Sequence, residues 1–276
     1  MSVIAITGST GHVGGRVAAQ LADLAPRLIV RDSSRAPRID GATVAVCEYS
    51  DAAAAVSALA GVDLLFMVSA AEAENRREQH RAFIHAAADA GVKHIVYTSF
   101  FGARPDAVFT LGRDHADAEA AIRESGMAFT ILRDNFYSDL LPYFADDAGV
   151  IRGPAGDGLV AAVARADVAD VAAAIVRAPA EHVGVTYELT GPEALSMAQI
   201  AERAGAAIER RLSYEPETVD EAYASRARYG AAQWQLDAWV STYVAIAAGE
   251  VARVTSDVRR VTGREPRTIE QALGDE

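Results

Sequence analysis

Short apolar runs alternate with helically spaced segments over the first two thirds of the chain. Residues 3–7 form a β-branched run, and residues 12–24 place apolar side chains at helical spacing. Strand patterns recur at 27–31, 43–47, 62–68, 93–98, 128–132 and 185–189, with helical patterns at 52–59, 72–90, 113–124 and 168–177. Strands covered on both faces read as continuous apolar runs, which is the form these take. The alternation predicts an α/β fold, a Rossmann-like doubly wound parallel sheet. Past residue 148 the texture changes: Gly149, Gly153, Pro154, Gly156 and Gly158 crowd together and read as a loop or a crossing between lobes. From residue 196 helical patterns dominate, with one strand candidate at 208–214. The expected division is a sheet domain over 1–150 with 166–190, and a small, mostly helical lobe over 151–165 with 191–276.

Composition narrows the class. Of the 276 residues 51% are hydrophobic and 23% charged, enough apolar surface for a filled core and too much for intrinsic disorder. The net charge is −12, and no basic run exceeds two residues, so no nucleic-acid partner is expected. Residues 52–71 carry a single charge, Asp63, but Gly61-Val62-Asp63 splits the stretch into a helix and a strand, so no membrane span is expected. Cys47 is the only cysteine, which excludes an internal disulfide and suits a reducing compartment. The opening residues run directly into a strand pattern in place of a basic leader, and a cytoplasmic protein, monomer or homodimer, is expected.

Thr7-Gly8-Ser9-Thr10-Gly11-His12-Val13-Gly14 joins the first strand to the first helix. Gly8 permits a tight turn, Gly11 lets backbone N–H groups approach a pyrophosphate, and Gly14 lets helix and strand pack closely. The helix N-terminus adds its dipole, so residues 8–14 are the expected dinucleotide cradle, joined by Ser69 at the end of the fourth strand. NAD-selective sites carry an acid near the end of the second strand. Here Arg31 takes that position with Arg35 close by, which favours the 2′-phosphate of NADP(H) over NAD(H). Asp32 argues the other way, and two solvated loop arginines are the plain alternative.

A glycine spacing of three and three resembles the extended and atypical short-chain dehydrogenases/reductases. In that superfamily a Tyr and a Lys four residues later do the proton work, with a Ser after the fifth strand. Ser99 stands at the serine position, but Leu111 and His115 stand where the pair belongs, and the sole lysine, Lys93, precedes the strand. Tyr97-Thr98-Ser99, Asp114-His115 with Glu119, Ile131-Leu132-Arg133-Asp134-Asn135-Phe136-Tyr137 and the tail at 254–267 resemble the NmrA-like members of the superfamily. The similarity is greatest to the type 2 NAD(P)H:quinone oxidoreductases, although Asp134-Asn135 replaces their usual Asn-Gly. The resemblance implies hydride transfer to a quinone-like or polycyclic aromatic substrate without a Tyr/Lys relay. The oxyanion formed on such a ring is delocalised and needs less help from an acid.

His115 is then expected to donate or relay a proton near neutral pH, with Ser99 as a hydrogen-bond donor, both as catalytic residues; a polar residue near a helix start and a strand-end cap are the plain alternatives. Phe100, Phe101, Asn135, Phe136 and Tyr137 follow the fifth and sixth strands, whose carboxyl ends line the ligand crevice in such sheets. They are the expected substrate-binding residues, core packing being the alternative. His80 and His85 are five apart and share no helix face, so no metal is expected. Trp234 and Trp239 read as lobe core or pocket lining. Two other functions fit the same residues: a tailoring enzyme on an aromatic natural product, including a monooxygenase, and a non-catalytic, NmrA-like dinucleotide sensor.

Overall fold

The computed structural model describes residues 2–275. In chain order, β1 (Ile4–Thr7), α1 (His12–Gln20), β2 (Arg27–Val30), β3 (Thr43–Val46), α2 (Ala52–Leu59), β4 (Leu64–Met67), α3 (Arg76–Asp89), β5 (His94–Phe100), α4 (Thr110–Glu124) and β6 (Ala128–Asp134) alternate strand with helix. Then come β7 (Val150–Gly153), β8 (Leu159–Val160), α5 (Arg165–Arg177), β9 (Thr186–Leu189), β10 (Leu195–Ser196), α6 (Met197–Ala207) and β11 (Ser213–Pro216). Helices α7 (Val219–Arg226), α8 (Gln233–Ala247), α9 (Asp257–Thr262) and α10 (Ile269–Gly274) finish the chain.

Seven strands form one parallel sheet in the order β3-β2-β1-β4-β5-β6-β9, the doubly wound arrangement the alternation predicts. The order reverses between β1 and β4, and such a switch point leaves a crevice at the carboxyl ends of the strands. Thr7 pairs with Ile29 on one side of β1, and Ile6 with Phe66 on the other. Ile6, Leu65, Phe66 and Ile95 are fully buried, in keeping with a sheet covered on both faces. The edge strand β3 leaves Val44 and Val46 exposed. α2 starts where Asp51 accepts a hydrogen bond from Ala54 N at 3.0 Å, an N-cap of the usual kind. At the amino ends of β4 and β5, Lys93 Nζ lies 2.7 Å from Asp63 Oδ1 with its side chain 78% exposed.

The chain divides into two compact units. One comprises the chain up to Ser99, Asp114–Arg133 and Val168–Tyr187; the other comprises Phe100–Arg113, Asp134–Asp167 and the chain from Glu188. Two of the divisions fall at the last residues of β5 and β6, and the others lie within α4, α5 and β9. Phe100, Phe101, Phe109 and Phe136 belong to the second unit's apolar cluster. In that unit β7 pairs with β11 in parallel and β8 with β10 antiparallel, so one short strand lies within the glycine-rich stretch and another directly follows it, where a loop or a crossing between lobes is expected. Two of its glycines serve close packing: a Cβ on Gly153 would lie 2.6 Å from Tyr243 Cε1, and one on Gly158 2.7 Å from the Ile246 carbonyl carbon. The second-lobe strand expected at 208–214 is β11, shifted toward the C-terminus. No described helix is long and apolar enough to cross a membrane.

Candidate active site

The loop after β1 has the shape that its glycines require. Gly8 takes φ +65°, and a Cβ there would sit 2.9 Å from Val68 Cβ. Gly11 N donates to the Gly8 carbonyl at 2.9 Å, closing the turn. A Cβ on Gly14 would meet the Gly8 carbonyl carbon at 2.5 Å and Thr7 O at 2.7 Å, so α1 packs against main chain. α1 opens at Gly11 with no side-chain cap, which leaves its first turn to an external acceptor. Ser9 Oγ is buried and has no hydrogen-bond partner among the described residues. A phosphate would satisfy both, and the helix dipole favours the same charge. The cradle fits a dinucleotide.

Beside it opens a cavity of 280 Å³, lined by Gly8, Thr10, Arg31, Cys47, Tyr49 and Ser69 among others. Of the expected cofactor residues, Gly8, Thr10, Arg31 and Ser69 line this cavity, whereas Gly11, His12, Val13 and Gly14 build the helix start behind it. Asp32 is turned to its own backbone. Its Oδ1 accepts from Ser34 Oγ at 2.7 Å and Ser34 N at 2.9 Å, and these bonds hold its carboxyl below the ordinary aspartate value. Arg35 ends that short turn and is not in the cavity wall, so the structure places Arg31 there and Arg35 apart. Tyr49 and Cys47, which sequence reasoning does not place at this site, follow β3, and the rule that strand ends line the crevice finds them once β3 is placed. Tyr49 donates to the Val68 carbonyl at 2.6 Å and stacks on Phe83, their ring centroids 4.2 Å apart. Burial pushes the Cys47 thiol up to about 11.

Ser99 and His115 occupy interior networks. The fully buried Ser99 Oγ donates to Glu119 Oε1 at 2.6 Å, and the same carboxylate takes a two-pronged contact from Arg133 at 2.7 and 2.8 Å. Burial raises the Glu119 carboxyl, but Arg133 and Ser99 more than offset it and leave its pKa lowered. His115 is buried, with Arg76 Nη2 3.0 Å from Nε2 and the Tyr97 hydroxyl 3.0 Å from Nδ1. A guanidinium only donates, so Nε2 accepts and the proton sits on Nδ1. Burial, then the charge of Arg76, holds the ring's pKa well below the ordinary histidine value. The expected proton donor near neutral pH is therefore a neutral imidazole with both nitrogens engaged.

In the second unit, the rings of Phe100, Phe109 and Phe136 cluster with centroids 4.7 to 5.1 Å apart. Phe101 lies under the Arg253 guanidinium at 5.1 Å. Phe100 and Phe101 are core, as the packing alternative holds, while Phe136 and Tyr137 are half-buried. Asn135 is spent on structure: Nδ2 donates to the Val251 carbonyl at 2.9 Å, and Oδ1 accepts from Phe136 N at 2.8 Å. The Tyr137 hydroxyl donates to Asp134 Oδ2 at 2.6 Å. Trp234 and Trp239 are half-buried, Trp239 edge-on to Tyr229.

A family model described as NAD(P)H-binding matches residues 8–179, which include the cradle and the cavity wall. The chain belongs to that family. It is 39% identical over 208 residues to quinone oxidoreductase 2 of Escherichia coli, covering 72% of each chain. With the NAD(P)H azoreductase of Xenophilus azovorans it shares 31% identity over 274 residues, 97% of this chain and 95% of the relative. Among solved structures, the NADPH-dependent quinone oxidoreductase of Escherichia coli complexed with NADPH matches with a TM-score of 0.88 and 32% identity, over 99% of both chains. The NmrA-like resemblance holds, and the protein is an NAD(P)H oxidoreductase.

Proposed function

We propose that this oxidoreductase uses NADPH to reduce a quinone-like or polycyclic aromatic substrate, with no Tyr/Lys proton relay. Arg31 in the wall of the cavity beside the glycine cradle carries the cofactor assignment: it offers a cation for the 2′-phosphate, and Asp32 is occupied in its own turn. When bound, the nicotinamide supplies hydride. The class of acceptor is supported by relatives named for quinone and azo reduction.

The residues argue for the same class. Leu111 has no proton to give, and His115 is neutral and held between Arg76 and Tyr97. An acceptor here must stabilise its own negative charge as hydride arrives, and a quinone does so by spreading it over the ring until water supplies the proton. We assign the acceptor's flat face to the half-buried rings of Phe136 and Tyr137, with Phe100 and Phe101 behind them as support and Asn135 anchoring the turn.

The test is NADPH oxidation by the purified protein with a panel of naphthoquinones, anthraquinones and azo dyes, with and without dissolved oxygen. Turnover that needs the acceptor and survives without oxygen supports the reductase. Strict dependence on oxygen points to a monooxygenase instead, and NADPH binding without turnover on any acceptor points to a sensor.

A further inference from the structure

Three consecutive main-chain N–H groups in the cavity wall are each held by a side chain from a different element. Val68 N donates to Thr7 Oγ1 at 2.9 Å, Ser69 N to Thr98 Oγ1 at 2.8 Å, and Ala70 N to His80 Nε2 at 2.9 Å. The Ala70 carbonyl accepts from Arg76 Nε at 2.9 Å. Residues 68–70 have left β4 and belong to no helix or strand, so these side chains do the work that a backbone ladder does elsewhere.

Both grips on Ala70 come from α3. Arg76 and His80 are four residues apart and share a helix face, and they are 4% and 0% exposed. Burying such groups is costly: among the described residues His80 Nδ1 and Arg76 Nη1 have no hydrogen-bond partner, although Asp114 Oδ2 lies 3.7 Å from Arg76 Nη1 and offsets part of the charge. Because His80 Nε2 accepts from Ala70 N, its proton sits on Nδ1. Burial pushes its pKa down to about 3, which keeps Nε2 an acceptor at any physiological pH.

We propose that Arg76 and His80 are positioning residues for the half of the dinucleotide that lies beyond its pyrophosphate. The sheet order puts β2, with Arg31 after it, on one side of the glycine loop and β4, with residues 68–71 after it, on the other. A dinucleotide that crosses the switch point with its adenosine phosphate at Arg31 carries its nicotinamide half past residues 68–71. With the N–H and C=O of Ala70 both gripped, that wall stands in place before the ligand arrives, which lowers the ordering cost of binding. The inference rests on NADPH occupying this cavity and is independent of what accepts the hydride.

Calorimetric titration of the whole protein with two ligands tests it: NADPH, and 2′,5′-ADP, which represents the adenosine half alone. His80→Leu removes the acceptor and should raise the Kd for NADPH by about tenfold, the worth of one hydrogen bond, with the Kd for 2′,5′-ADP unchanged. His80→Gln, whose amide oxygen can accept from Ala70 N, should recover most of the affinity. If His80→Leu does not fold, Thr98→Val removes the neighbouring acceptor and carries the same expectation. Equal losses for both ligands would reduce the residues to general structural support and overturn the proposal. So would unchanged NADPH affinity, absence of recovery in His80→Gln, or a wild-type protein that binds neither ligand. Wild-type protein that binds NADPH but reduces no aromatic acceptor would break the acceptor assignment and leave this inference standing.

Discussion

Gly14→Ala adds one methyl group where α1 meets the end of β1. The new Cβ would lie 2.5 Å from the Gly8 carbonyl carbon, against 3.4 Å for ordinary contact, and the atoms it meets are main chain. No rotamer relieves this, so the start of α1 must retreat by about 0.9 Å, a shift of the size that costs about 100-fold when it misplaces reacting groups. Overpacking costs about 1–3 kcal/mol, and the gain of alanine over glycine within a helix returns about 1 kcal/mol. The net loss, about 0–2 kcal/mol, corresponds to a fall in Tm of no more than about 8 °C. Binding suffers more, because the N–H groups of the first turn move out of hydrogen-bond range of a charged phosphate. Losing one such bond, worth about 1.5–3 kcal/mol, raises the Kd for NADPH at least about tenfold. Fluorescence titration of NADPH together with a thermal melt separates the two effects. Gly274→Ala, with nothing near its Cβ, is the control. A Gly14→Ala protein that binds NADPH as tightly as wild type would refute the pyrophosphate cradle.

Other outcomes follow from the same coordinates. Arg31→Ala should raise the KM for NADPH by about ten- to hundredfold with little change for NADH, the loss of a charge-assisted bond; equal effects on both cofactors would remove Arg31 from the 2′-phosphate site. Ser99→Ala should cost about 1–2 kcal/mol of stability by taking a donor from Glu119, with turnover retained, whereas a collapse of kcat at unchanged stability would restore Ser99 to the chemistry. Glu119→Gln should lower stability near neutral pH by about 2 kcal/mol. Because the folded carboxyl has a lowered pKa, its contribution is complete above the ordinary value of 4.5 and is lost as pH falls through the lower folded value. The gap between the melts of wild type and Glu119→Gln should therefore stay constant down to about pH 5 and close below it. For His115, the pH profile of kcat/KM should show no ionisation near the ordinary histidine value of 6.5, since burial and Arg76 keep the ring neutral there; a limb at that pH would contradict the geometry.

The glycine loop is legible in the sequence because its constraints are local: a turn, a positive φ and a close approach each demand glycine within a few residues. The parallel, doubly wound sheet also follows from the alternation of elements. The tails of β5 and β6 are harder to read. Each runs two residues past its apolar pattern, to Phe100 and Asp134, because Ser99 and Arg133 find a common partner in Glu119 on α4. Such pairing links positions up to 20 residues apart and leaves no local mark. Arg76 shows the limit most clearly. An arginine near a helix start reads as solvated surface, yet the Ala70 carbonyl and His115 hold it inside. For the same reason Ser99 and His115 look like free catalytic groups in the sequence, since the side chains that engage them lie on other elements.

Lys93 makes the molecule unusually easy to handle. It is the one lysine of the chain, and its side chain stands in solvent at the amino ends of the strands, whereas the glycine cradle lies at their carboxyl ends. Apart from the α-amino group, an amine-directed dye or surface linker therefore has a single side chain to find, remote from the nucleotide cavity. Protein tethered through Lys93 would present its binding face uniformly to solution, and a fluorophore there would report on the molecule without crowding the cofactor.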